Sequence, residues 1–209
     1  MLSQIATLVS GLSLAACSLV GDRSGTEEPA YRVTDRFGEV EIRTYGARLA
    51  AETVVEADEE AARSTGFRRL AGYIFGGNRG NTSIAMTAPV ATTAAGQSIA
   101  MTAPVAQTRD AAGRWVVRFY LPREWTIETL PVPNDPLVVL VTVPAETIAA
   151  LAFTGDRGAE AVRSRQQELR TALAGGPWHI TAEPVAWFYD PPWTLPWRRR
   201  NEVAAAVMR

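Results

Sequence analysis

The sequence is poor in the residues that crosslink chains, bind metals or act as nucleophiles. It contains one cysteine and one histidine in 209 residues. A single cysteine excludes an intrachain disulfide, and no cluster of histidine, cysteine and acidic residues has the spacing of a metal site. The sequence also has no Gly-rich phosphate loop and no His/Cys/Asp constellation. These absences favour a binding protein over an enzyme.

Net charge is almost absent as well. The 21 basic residues face 22 acidic ones, which gives a formal net charge of -1. The chain therefore lacks the positive surplus of proteins that bind nucleic acid, and no nucleic-acid partner is expected. One basic run, Arg198–Arg200, interrupts this balance. Solvated surface or internal salt bridges are the preferred interpretation of the run, and a phosphate or lipid contact is the alternative.

The first 17 residues indicate export. Leu2–Ala16 is apolar and uncharged but shorter than the roughly 20 residues of a membrane-spanning helix. It ends in Leu14-Ala15-Ala16-Cys17, which resembles the lipobox of bacterial lipoproteins, so residues 1–17 are predicted to be a signal peptide with a lipid on Cys17. A buried cysteine in an ordinary helix is the alternative. The polar residues 18–29 are predicted to be a flexible tether that holds the domain at a bacterial membrane, in the periplasm or cell envelope.

The rest of the chain contains enough apolar material for one domain, since 47% of the residues are hydrophobic and 21% are charged. Helical periodicity predicts one helix from Asp58 to about Phe75, stopped by two glycines, and a second over Gly158–Ala174. Alternation and β-branched runs predict strands elsewhere. These predicted strands are a hairpin over 31–44, then 48–55, 114–121, 137–143, 147–153, 185–189 and 202–208.

An eight-residue segment occurs twice, at 84–91 and at 99–106, and reads IAMTAPVA in both copies. The offset of 15 residues suits two arms of a hairpin with 94–97 at its tip. Pro89 and Pro104 lack an N–H, so each is expected at an edge, a bulge or a strand end.

The order of elements indicates a duplication. A strand ending near Val55 leads into the first helix, and a strand ending near Phe153 leads into the second. Each half would then supply several strands and one helix. The predicted class is α+β, with one face of a twisted antiparallel sheet under two helices.

Three segments carry a family pattern: 64–74, continuing through Asn78 into 84–90, then Tyr189-Asp190-Pro191-Pro192 and Arg199-Arg200-Asn201-Glu202-Val203. Together they resemble the SOUL haem-binding family. Their order and spacing match the family from about Ala30 onward, which makes 30–209 the expected domain. The resemblance implies a distorted antiparallel β-barrel flanked by two helices, which binds haem or related tetrapyrroles.

The resemblance also implies where the tetrapyrrole lies. Relatives place it against the first helix, which gives Ser64, Phe67, Ala71 and Ile74 as pocket-facing residues. Arg68, or alternatively Arg63, is then expected to pair with a propionate, because guanidinium pairs well with carboxylate. Packing in the core beneath the helix is the alternative interpretation of the apolar members.

No axial ligand to iron is predicted. Some relatives carry a histidine in the strand where this chain has Thr44, and His179, the only histidine, is interpreted as structural. Met86 and Met101 are possible soft ligands but are interpreted as core, and Tyr45 and Tyr189 remain open. The tetrapyrrole is therefore expected to be held mainly by packing.

Two other functions remain as alternatives. The protein could bind other flat amphipathic molecules, with Glu59 or Glu60 as an acid in the slot. An enzyme that acts on tetrapyrroles ranks last. The side chains of Asn201 and Glu202 are expected to be structural and to bond the backbone of the preceding proline-rich loop.

Overall fold

The computed structural model describes residues 26–80, 96–191 and 193–209. The predicted signal peptide, Cys17, most of the tether and the first copy of the repeat lie outside these residues. The described part forms an antiparallel sheet and two helices, as the sequence predicted. The elements are β1 (Tyr31–Phe37), β2 (Val40–Tyr45), β3 (Arg48–Val55), α1 (Glu59–Ile74), β4 (Asn78–Arg79), β5 (Val105–Arg109), β6 (Trp115–Tyr120), β7 (Val132–Pro133), β8 (Val139–Val143), β9 (Glu146–Phe153), α2 (Ala159–Leu173), β10 (His179–Ile180), β11 (Val185–Phe188), a 3-10 turn (Pro196–Arg198) and β12 (Asn201–Met208).

The predicted duplication is confirmed by the sheet. Its strands lie in the order β1-β2-β9-β12-β11-β5-β6-β3-β8, with β10 added on β12. The segment β3-α1-β5-β6 and the segment β9-α2-β11-β12 have the same connectivity, and they meet at the pair β11-β5. Each half therefore contributes one helix and one side of the sheet.

The two halves exchange a strand. β2 precedes β3 in the chain but pairs with β9, and β8 precedes β9 but pairs with β3. Only residues 46–47 and 144–145 join these consecutive strands. Because two residues cannot span several strands of a flat sheet, the sheet curls until the exchanged strands meet, and this curl gives it a convex and a concave face.

Both helices pack on the convex face. Asp58 begins α1, since its Oδ1 accepts hydrogen bonds from the backbone N–H groups of Glu60 (3.1 Å) and Ala61 (2.9 Å). α1 covers β3 and β6, and α2 packs on β9 and β12. Neither helix is long and apolar enough to cross a bilayer. The buried side chains beneath them are Leu70, Tyr73, Ile74, Val117 and Phe119 under α1, and Val162, Leu169, Leu173, Leu151 and Val203 under α2.

The concave face carries a third cluster, which neither of the two described helices covers. Its large members are aromatic, and alanines fill the space between them. Burying each aromatic side chain removes on the order of 150–250 Å² from water, so this face contributes to stability as the helix layers do. The aromatic members are Tyr45, Tyr120, Trp187 and Tyr189.

The structure of the second copy of the repeat differs in part from the predicted hairpin arm. Only Val105 and Ala106 of this copy belong to a strand, β5. Residues 99–104 are irregular, with an isolated bridge from Thr102 to Glu27 and a cis peptide bond before Pro104. The proline therefore lies just before a strand, as its missing N–H requires, but the segment as a whole is no strand.

Candidate functional site

Four of the five residues implied by the resemblance lie together on α1. Ser64, Phe67, Arg68 and Ala71 are spaced at i, i+3, i+4 and i+7, so they share one side of the helix. Ser64 and Arg68 are exposed, whereas Phe67 and Ala71 are half-buried. Phe75, which caps the helix, continues this side and is 65% exposed. We call these five residues the α1 stripe.

Ile74, the fifth implied residue, lies beside the stripe and not on it. It is 1% exposed and packs with Leu70 and Tyr73 under the helix. The surroundings of Ile74 therefore agree with the alternative interpretation, in which this side chain packs in the core.

The stripe has an apolar neighbourhood. The ring of Phe67 meets that of Phe119 edge-on at a centroid distance of 5.3 Å. Met101 and Trp125 are partly buried and pack against the same cluster as Phe67. In the described part of the chain, the indole Nε1 of Trp125 is buried without a hydrogen-bond partner. Met101 is the copy of the repeated methionine that the structure describes, because Met86 lies outside the described residues.

The two arginines considered for a propionate differ in their surroundings. Arg68 is exposed on the stripe, and its Nε donates to the carbonyl oxygen of Ser64 at 3.3 Å. Arg63 lies off the stripe. Its Nη1 donates to the carbonyl oxygen of Arg157 at 3.1 Å, and its guanidinium stacks on the ring of Phe188. Arg68 is therefore the better placed of the two.

The other candidate ligands of iron lie away from α1. Thr44 is on β2, and His179 is exposed on β10, which pairs with β12. Tyr45 and Tyr189 face the concave side, where burial raises the pKa of both phenols above the ordinary value. Within residues 26–80, 96–191 and 193–209, no group of three or more His, Cys, Asp and Glu side chains could hold a metal ion.

A buried ion network joins two of the family-like segments. Glu202 is 1% exposed, and its carboxylate accepts hydrogen bonds from Arg43 at 2.7 and 3.1 Å. It also accepts from the hydroxyl of Tyr189 at 2.8 Å and from Arg200 at 2.9 and 3.1 Å. Burial alone would raise the pKa of Glu202, but Arg43, then Arg200 and Tyr189, hold this pKa below its ordinary value.

This network corrects the expectation for Asn201 and Glu202. The proline-rich loop is instead held by Arg199, whose Nε donates to the carbonyl oxygen of Thr194 at 2.7 Å, and by Asp190, which accepts from the backbone N–H of Arg200 at 2.6 Å. Asn201 is buried, and its Nδ2 has no hydrogen-bond partner among the described residues. Glu202 has side-chain partners because it faces the concave side of the sheet, away from the loop backbone.

The concave face also contains a small cavity of about 120 Å³. Tyr120, Glu146 and Trp187 line it. Arg48 lies next to these residues, paired with Glu146 and stacked between the rings of Tyr45 and Tyr120 at 4.3 and 4.6 Å. Within the described chain, Nε1 of Trp187 and both Nε and Nη1 of Arg48 are buried without hydrogen-bond partners. A space of this size suits water or a ligand of a few atoms.

The fold and the α1 stripe define an internally duplicated α+β protein with a partly apolar helix side that faces solvent. The chain matches the family model described as SOUL heme-binding protein over residues 26–206, and it therefore belongs to that family. No curated protein matches the chain significantly in sequence.

Solved structures support the fold. The C-terminal domain of EcmrR is similar with a TM-score of 0.59 and 9% identity, over 86% of this chain and 98% of that one. The structure of EcmrR in a complex with DNA is similar with a TM-score of 0.56 and 11% identity, over 99% of this chain and 68% of that one. A hydrolase from Listeria innocua is similar with a TM-score of 0.51 and 12% identity, over 84% of this chain and 94% of that one. At such identities the likeness shows the shared fold alone.

Proposed function

We propose that the protein binds haem or a related tetrapyrrole on the α1 stripe and acts as a carrier, buffer or sensor without catalysis. Membership of the family supports the ligand class. The observation that supports the place is the α1 stripe itself, where Phe67, Ala71 and Phe75 offer apolar surface beside the charged Arg68. A tetrapyrrole is a flat apolar plate with two carboxylates at one edge, so these residue types match its two parts.

Packing would supply most of the affinity. Burial of apolar area is worth roughly 25 cal/mol per Å², so the apolar area that the macrocycle and the α1 stripe remove from water would set the affinity without a bond to iron. Arg68 would add a charge-assisted contact to a propionate. Met101, packed against the same cluster as Phe67, is the soft side chain nearest to this neighbourhood in the described part of the chain.

Titration of the protein with haemin and with metal-free protoporphyrin tests this proposal. We expect the two affinities to agree within about tenfold, a difference of roughly 1.4 kcal/mol. Ala71→Asp should weaken both ligands alike, because it introduces a charge that must be desolvated or that blocks the plate. Ala172→Asp is the matched control, since Ala172 is an exposed alanine of α2, away from the stripe, and the substitution should leave both affinities unchanged.

The same titration can contradict the packing account. If His179→Ala abolishes haemin binding and spares the metal-free porphyrin, then the imidazole ligates iron and the α1 stripe does not carry the affinity. Equal binding by wild type and Ala71→Asp would also reject the stripe as the site.

We also propose that the protein is exported and anchored by a lipid on Cys17, with its domain at the cell envelope. The lipobox-like sequence before Cys17 supports this. Wild-type protein should then fractionate with membranes, and Cys17→Ala should not, whereas Ser18→Ala should behave as wild type. An intact, unmodified N-terminus on the mature protein, measured by mass spectrometry, would reject the anchor.

The concave cavity gives little support to the alternative of larger flat ligands. Its volume of about 120 Å³ is below the roughly 300 Å³ at which pockets for drug-sized molecules begin. Glu59 and Glu60, suggested as the acid for such a ligand, lie in the first turn of α1 on the convex side. Two acids line the cavity, and both are already paired: Glu146 with Arg48 and Glu183 with Arg170.

A further inference from the structure

Two tryptophans are held outward on the connection between β11 and β12. Trp193 is 58% exposed and Trp197 is 67% exposed. Buried Thr194 lies between them, and the backbone N–H of Arg198 donates to the carbonyl oxygen of Leu195 at 2.8 Å. The local structure therefore fixes both indoles at the surface. We call residues 193–198 the Trp loop.

Arginines that form no ion pair with a described carboxylate lie beside the Trp loop. The N–H of Gly155 donates to the carbonyl oxygen of Pro196 at 2.9 Å, which brings the start of α2 against the loop. Arg157, two residues later, donates from Nη1 to the carbonyl oxygen of Asp190 at 3.2 Å. In the described ranges, neither Arg157 nor Arg198 has a carboxylate within ion-pair distance. The same holds for Arg63, which contacts Arg157.

The electrostatics agree with this geometry. Burial first, and then repulsion from Arg63 and Arg199, lowers the pKa of Arg157 to about 10. Asp190 and Glu60 attract Arg157, but more weakly than these effects oppose its charge. The guanidinium remains charged at neutral pH, and exposed Arg198 adds a second positive charge beside the two indoles.

The N-terminal segment enters the domain at the same place. The carboxylate of Glu28 pairs with Nη1 of Arg200, two residues after the Trp loop, at 3.0 and 3.1 Å. Glu28 is eleven residues from Cys17, and an extended chain of that length spans at most about 40 Å. A lipid on Cys17 would therefore keep the Trp loop within reach of the bilayer surface.

We propose that the Trp loop, together with Arg157 and Arg198, is a docking surface for an anionic phospholipid bilayer. Indoles favour the boundary between headgroups and acyl chains, and arginines favour the negative surface of anionic lipids. The surface is separate from the α1 stripe and does not depend on tetrapyrrole binding. It uses the proposed lipid anchor only to bring the bilayer near, and docking would fix the orientation of the domain on the membrane.

Tryptophan fluorescence of the full-length protein tests this surface. All six tryptophans lie between residues 115 and 197, so neither the leader nor the tether contributes to the signal. The protein is added to phosphatidylcholine vesicles, with or without phosphatidylglycerol, whose acyl chains carry bromine as a quencher. We expect strong quenching with phosphatidylglycerol and weak quenching without it. The quenching should disappear in Trp193→Phe/Trp197→Phe and persist in Phe75→Ser, the control for an exposed aromatic elsewhere.

The charge contribution is tested with the tryptophans intact. Arg157→Gln and Arg198→Gln should each lower the ratio of docked to undocked protein about fivefold, as read from the extent of quenching. Unchanged quenching in both arginine variants overturns the proposal. Flotation with the vesicles without any quenching also overturns it, while leaving the lipid anchor intact. A wild-type dimer that Trp193→Phe/Trp197→Phe converts to a monomer would assign this surface to a second copy of the chain and reject the bilayer.

Discussion

Replacing Glu202 with glutamine is expected to lower the free energy of unfolding by about 3–5 kcal/mol. The carboxylate is 1% exposed and neutralises Arg43 and Arg200 in the concave face. Glutamine keeps the shape but removes the charge that Arg43 and Arg200 share, which leaves them only Glu41 (2.9 Å) and Glu28 (3.0 Å). A buried charge that loses its buried partner is costly. Denaturant unfolding measures the change.

The control for this variant is an ion pair of similar length at the surface. Glu183 pairs with Arg170 at 2.6 Å, but its side chain is 85% exposed. Because exposed pairs contribute about 0–1 kcal/mol, Glu183→Gln should change stability little. Equal effects of the two substitutions would show that burial of Glu202 does not determine its contribution.

The pH dependence of stability gives a second readout of the same network. The pKa of Glu202 is lower in the folded chain than the ordinary value of 4.5. The unfolded chain therefore binds the proton at higher pH than the folded chain does. The stability that this carboxylate supplies is complete above about pH 4.5 and is lost as pH falls through the lowered pKa. Glu202→Gln should show less of this loss than wild type.

Gly66→Ala is expected to lower the free energy of unfolding by about 1–3 kcal/mol. A Cβ on Gly66 would lie 2.5 Å from Cγ2 and 2.6 Å from Cβ of Val117, so α1 would have to move away from β6. Gly72→Ala in the same helix is the matched control, since nothing lies within 4 Å of its added Cβ. It should instead raise stability by about 0.5–1 kcal/mol, because alanine favours the helix. Opposite signs in thermal unfolding are the expected result, and a stabilising Gly66→Ala would contradict the close packing.

The local elements could be predicted from the sequence because their signals are local. Asp58 and the glycines after Phe75 define α1 within a residue or two of its observed ends. Turn residues and alternation likewise predicted most strands. Short strands such as β4, β7 and β10 escaped prediction, since two residues carry no periodicity.

The contacts that connect the halves could not be predicted in this way. Arg43 and Glu202 are 159 residues apart, and nothing near either residue indicates the other. The α1 stripe came from the family resemblance, and helical spacing then placed Ser64, Phe67, Arg68 and Ala71 on one side. Ile74 is instead buried under the helix. Whether a residue at the edge of the stripe faces solvent or the core depends on how α1 is rotated about its axis on the sheet, and this rotation could not be predicted from the sequence.

The exchange of β2 and β8 has a consequence for how the molecule can be divided. A fragment ending after β6 would contain β2 without β9, its pairing partner, and β3 without β8, its neighbour on one edge. The complementary fragment would contain β9 without β2 and β8 without β3. Each fragment would expose an unpaired strand edge that matches the edge of the other, and such edges associate readily. The repeat visible in the topology is therefore not a unit that can be excised, and the smallest autonomous piece of this architecture is the whole domain.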